Sequence, residues 1–256
     1  MAGVIFGVVL AVHAANGAVA LLAGPVAMAA HKGQRLHRAA GRLYASAMVA
    51  TAVSALYLAL ATRNLLLLVI AVFSFFLVFS GWRALSQKRL HEGQGARWFD
   101  WFVAALTLLF SAALSVVGLA GGGDVTMLFF GAGGSILALR EMWQLTGRVQ
   151  PGAWLVRHVI GMSAAYIATV SAFAVVTVTF LPKPVAFIAP TLIGTPMIAW
   201  VAARLTVALR RNRSPYGYQD RGALPRPHLI CGSARLRPRL CHQLAAPGLA
   251  VVDPLG

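Results

Sequence analysis

Residues 31–44 read HKGQRLHRAAGRLY: two histidines and four basic side chains set between stretches with almost no charge. The run before it, 4–29, and the run after it, 43–62, are apolar. At about 1.5 Å of rise per residue, roughly 20 such residues cross a hydrocarbon core of about 30 Å. The polar stretch is therefore expected as the connector between two membrane-spanning helices.

Working outward, five more apolar runs follow at 65–85, 99–119, 125–146, 159–181 and 187–209. Tight turns separate some of them: Arg63-Asn64, Gly121-Gly122-Gly123-Asp124 and Leu181-Pro182-Lys183-Pro184. The expected fold class is all-α, a polytopic seven-helix transmembrane bundle over residues 1–212. Composition agrees, with 59% hydrophobic and 11% charged residues against the roughly 25% charged usage of soluble domains. The N-terminal MAGVIFGVVL lacks a basic leader segment and is read as a retained first helix.

The net charge of +16 would fit nucleic-acid binding if it formed one patch on a soluble fold. Instead, the basic residues fall in alternate connectors. Lys32, Arg35, Arg38, Arg42, Arg83, Lys88, Arg89, Arg97, Arg140, Arg148, Arg157, Arg204, Arg210, Arg211 and Arg213 share one side, against Arg63 and Lys183 on the other. The positive-inside rule then places the N-terminus outside and the C-terminus in the cytoplasm. Trp82, Trp98, Trp101, Trp143 and Trp154 fall at the same ends, and Trp200 lies in the same half of its span, as interfacial indoles do. The expected location is a bacterial cytoplasmic (inner) membrane. The expected partners are the lipid bilayer and anionic headgroups at the cytoplasmic face, with no nucleic acid and no oligomeric state specified.

Residues 213–256 differ in kind, with six of the twelve prolines and both cysteines. They are expected as a basic, Pro/Arg-rich tail, disordered or non-native. Cys231, Cys241, His228 and His242 have no zinc-site spacing, so the sequence assigns no metal.

An ionisable group in the hydrocarbon region costs about 2.5–3.5 kcal/mol at mid-helix on insertion scales, so His13 stands out. With Asn16 on the same helical face, and with Pro190, Gly194 and Pro196 interrupting the seventh span, it forms a candidate polar binding site. A histidine hydrogen-bonded between helices as polar glue is the structural alternative. A second candidate group gathers at the cytoplasmic face: His37, Arg42, Tyr44, Glu141 and His158. Glu141 has Arg42 and Arg157 as possible partners, and Asp100 sits where the fourth helix's dipole favours an anion.

Residues 37–55 and 157–173 resemble each other, each with a basic, histidine-containing start followed by small residues: Ala47-Thr51-Ala55-Ala59 and Ala164-Ala168-Ala172. Such stripes let helices approach, so the second and sixth helices are expected to be neighbours, with His37 near His158.

All three lysines, Lys32, Lys88 and Lys183, fall in predicted loops, which excludes a retinal Schiff base within the seventh helix. No phosphate loop, nucleophile elbow or HExxH motif occurs, and no catalytic residues are assigned.

GQRLHRAAGRLY, AVFSFFLVFSGWRAL at 71–85, RHVIGMSAAYIATVSAF and PTLIGTPMIAW together resemble the bacterial predicted membrane proteins grouped as domain of unknown function 2306. The resemblance spans roughly residues 5–210. It implies a multi-pass membrane fold without a settled activity, and singles out His13, His37, Gly41, Arg42, Tyr44, Gly81, Arg83, His158, Gly161, Tyr166, Pro190, Gly194 and Pro196. The expected function is a carrier-like bundle for a small solute, proton or ion, without a cofactor. The alternatives are a redox protein holding haem b between two histidines, and a non-catalytic scaffold or sensor.

Overall fold

A computed structural model of the chain describes residues 2–211, so the expected tail lies outside the described residues. Among the described residues there are seven helices long and apolar enough to cross a membrane, and no strand. They are α1 (Ala2–Ala29), α2 (Arg35–Ala61), α3 (Leu65–Arg83), α4 (Trp98–Ala120), α5 (Val125–Leu145), α6 (Ala153–Thr177) and α7 (Lys183–Arg211).

Helix edges differ from the expected spans for local reasons. The true break before α2 is Gly33, at φ 80°, a left-handed conformation that glycine adopts without a Cβ penalty. Nothing beyond it stops a helix, so Arg35–Arg42, expected as connector, forms the first turns of α2. Gly152, at φ 82°, likewise sets the start of α6, and Arg157 and His158 are helical. Helix α7 opens at Lys183 with Pro184 in its first turn, where a missing N–H leaves no bond unmade. Lys183 is thus helical, though at the terminus. Asn64 and Asp124 cap α3 and α5 by accepting from Leu67 N and Met127 N at 3.1 and 2.9 Å, the ordinary work of short polar side chains at this position.

Helix α3 is the hub, packing against α2, α4, α5 and α6, while α1 lies along α2 and α4 along α5. Between apolar helices in lipid, close packing replaces the hydrophobic drive, and small residues mark the seams. A Cβ on Gly161 would stand 2.6 Å from the Gly81 Cα, and one on Gly81 would stand 2.8 Å from Met162 N. Backbone therefore meets backbone where α3 crosses α6. The buried stripe of α6 is Gly161-Ala165-Thr169, one residue away from the expected Ala164-Ala168-Ala172. Helix α7 meets the others through Gly194, against the Ile167 side chain, and through Phe187, whose ring lies 4.8 Å from that of Phe130.

One end of the bundle gathers the basic residues. There Arg83 clamps Asp100 through Nε and Nη2 at 2.7 and 2.9 Å, and Gln87 Nε2 adds a third bond at 2.9 Å. Asp100 also accepts from Arg97 N. This network ties the α3–α4 connector to both helices, and a bidentate guanidinium–carboxylate pair is among the stronger polar contacts.

Candidate functional site: a polar line along α2

Helix α2 carries His37, Tyr44, Met48 and Thr51 on one stripe, since these offsets nearly complete whole turns at 3.6 residues each. Helix α6 faces that stripe. The Tyr44 and Tyr166 rings meet edge-on at 6.3 Å, and Thr169 Oγ1 lies 3.1 Å from the Met48 sulfur. The two helices run the same way, so about two turns back from the tyrosine pair, at matched depth, stand His37 and His158. They are close enough to interact electrostatically.

Both histidines are oriented by backbone. His37 Nδ1 lies 2.8 Å from the carbonyl of Ala27 in α1, and His158 Nδ1 lies 2.9 Å from that of Gly81 in α3. A carbonyl only accepts, so Nδ1 is the donor in each ring, and the neutral form of the ring then has its lone pair on Nε2. Gly41, one turn beyond His37, has nothing within 4 Å of where a Cβ would be.

Toward the other end, His13 donates from α1 to the Thr51 carbonyl at 3.1 Å and lies 3.2 Å from Ser54 Oγ. Asn16 donates to the Val12 carbonyl in its own helix at 2.9 Å. Along the line, two buried hydroxyls, Tyr44 Oη and Thr51 Oγ1, have no hydrogen-bond partner among the described residues. Thr169 stands near Tyr44 without completing that bond.

The structure distributes the candidate residues differently from the two expected groups. His13 joins the α2 line through Thr51 and Ser54, and His37, Tyr44 and His158 share its basic end. Pro190 and Gly194 lie on α7, with Gly194 against Ile167, and Pro196 is exposed. Arg42 is exposed and borders an outward-facing apolar groove between α1, α2 and α3, of about 950 Å³, with Trp82 also lining it. Glu141 pairs with Arg157, the second of its two expected partners, on the opposite side of α3 from that groove.

Sequence reasoning did not see the part that three residues play. Thr51 and Thr169 are ordinary small residues in an apolar run, and only the facing helix reveals their role. Arg157 was expected at a cytoplasmic edge. It lies in the first turns of α6 and is 6% exposed. Its spacing of one turn before Gly161 on the buried stripe is the signal that could have found it.

Spans of this length and composition, a polar line inside them and a ring of basic residues at one end define a multi-pass membrane protein. Residues 10–121 match the family described as predicted membrane protein, DUF2306. The resemblance read from the sequence is borne out over that stretch, while the motifs at 157–173 and 190–200 lie beyond the matched residues. No curated protein and no protein of solved structure matches the chain.

Proposed function

We propose that the chain is a carrier-like bundle that passes protons or a small polar solute along the α2 line. The observation that carries this reading is the pair of buried hydroxyls, Tyr44 Oη and Thr51 Oγ1, left without partners among the described residues between imidazoles at either end. In hydrocarbon an unsatisfied polar group costs several kcal/mol, and water or a passing solute supplies the missing partner. Histidine suits such a line because its charge changes near neutral pH.

On this reading the N-terminus is outside and the basic end faces the cytoplasm of a bacterial inner membrane. Exposed Arg35, Arg38 and Arg42 then meet anionic headgroups, at about 1 kcal/mol each near the surface.

The test is proton flux into liposomes containing the purified protein, followed with a pH-sensitive dye under an imposed potential. The reading predicts flux above that of empty liposomes, reduced about tenfold in Tyr44→Phe and in His37→Ala. Rates equal to those of empty liposomes, for protons and for small polar solutes alike, would overturn it.

A second reading, haem b held by His37 and His158, is favoured by one observation: each Nδ1–H is held by a backbone carbonyl. Histidine ligands commonly show that arrangement, which leaves Nε2 for iron. The carrier reading predicts a colourless protein. A Soret band that shifts with dithionite and disappears in His37→Ala or His158→Ala would replace it with the haem reading.

A further inference from the structure

The outer face of α2 is built differently from its inner one. Arg35, Arg38 and Arg42 stand on one helical stripe with Val49, Val53 and Tyr57, at spacings of three, four and seven residues, and all are exposed. The stripe is charged at the basic end and apolar beyond it. Its apolar part lies in the groove of about 950 Å³ between α1, α2 and α3. Small Ala45 and Ala50 keep the floor low, α3 contributes Phe79 and Trp82, and α1 contributes Val8 and Val12. From Arg42 to Tyr57 the groove follows α2 for roughly 22 Å at about 1.5 Å per residue. One leaflet of a hydrocarbon core about 30 Å thick needs roughly 15 Å.

Arg42 borders the charged end of this groove, and its charge is unanswered by the chain. Among the described residues the carboxylates are engaged elsewhere: Asp100 by Arg83, Glu141 by Arg157, Glu92 beside His91, and Asp124 as the cap of α5. Trp82, 39% exposed, lines the groove with Arg42, and indoles favour headgroup level. A guest that suits all of this has an anionic head and a long apolar chain.

We propose that the groove seats an acyl chain of one anionic phospholipid, with the phosphate against the Arg42 guanidinium and Arg38 a turn behind it. Guanidinium and phosphate match as a planar fork and its acceptors. A zwitterionic head would bring its own cation among three guanidiniums, so a net negative lipid is preferred. No hydrophobic drive sorts a chain from lipid into a groove; van der Waals packing and the paired charge hold it. The site lies on the outer face of α2, so lipid binding and the proposed transport along the inner face fail separately.

Native mass spectrometry of the purified full chain in detergent tests it, with equal amounts of phosphatidylglycerol and phosphatidylcholine bearing the same chains. The expected result is one retained lipid per chain, phosphatidylglycerol in preference to phosphatidylcholine, and no displacement by glycerol phosphate, which has the anion without the chains. Arg42→Gln should weaken that retention about fivefold, the factor one basic residue contributes near an anionic surface. Val49→Trp, or Val53→Trp should the first not fold, fills the groove while keeping the arginines and should abolish retention. Equal retention of the two lipids by the wild-type protein would overturn the proposal, as would displacement by glycerol phosphate. Retention unchanged in a folded groove-filling variant would leave the lipid on the basic end alone and contradict it. A dimer without lipid, lost in that variant, would give the groove to a second copy of the chain and overturn it too.

Discussion

Asp100 shows how far one residue can be read from sequence. Its place in the first turn of α4 was legible as an anion at a helix N-terminus, and it does accept from Arg97 N there. Its main partner was not legible. Arg83 lies on a different helix and was expected only as one of the basic residues on one side, whereas it closes a bidentate clamp over a carboxylate that is 4% exposed. Removing one partner of such a pair strands the other. Asp100→Ala should therefore lower stability by about 3–5 kcal/mol, and Asp100→Leu combined with Arg83→Met should recover most of the loss. Thermal unfolding in detergent checks both. A double variant no better than Asp100→Ala would mean that the clamp supplies more than charge balance. The histidines were easier to read, because an imidazole in an apolar run demands a partner. Which carbonyl would supply it depended on helices distant in sequence.

At the scale of the element, spans were legible from apolar run length, and their edges were not. A basic stretch reads as a loop, yet Arg35–Arg42 is helical because the left-handed turn at Gly33 precedes it. The α2–α6 neighbourhood was expected from matching small residues and is found, although through Tyr44–Tyr166 and Met48–Thr169 side chains. Close backbone approach belongs instead to α3 and α6. Small residues occur on several faces of α6, so periodicity left the buried stripe open by one residue. The glycine opposite, Gly81, decides it. Gly161→Leu should force α3 and α6 apart, at about 1–3 kcal/mol or more for overpacking, while Gly17→Ala, whose Cβ meets nothing within 4 Å, should leave the unfolding midpoint unchanged or slightly higher. Equal midpoints for Gly161→Leu and wild type would contradict the close crossing.

For the whole molecule, charge asymmetry gives an orientation that reporter fusions can test. Fusions after Gly33, Gly95 and Gln150 should behave as cytoplasmic, and those in the Gly121–Gly123 and Pro182–Pro184 turns as external. A fully active alkaline phosphatase fusion at Gly95 would reverse the arrangement.

Cysteine accessibility shows whether the inner stripe of α2 is reached by water or solute, as the proposed transport line requires. Cys231 and Cys241 are first replaced by serine. Thr51→Cys, on the polar line, is then compared with Val53→Cys, on the outward face of the same helix where Val53 is 60% exposed to its surroundings. A small, membrane-impermeant thiol reagent is applied to each side of sealed vesicles. Thr51→Cys is expected to be modified from the basic side and Val53→Cys is not, because the latter faces lipid. Thr51→Cys as unreactive as Val53→Cys from both sides would contradict it.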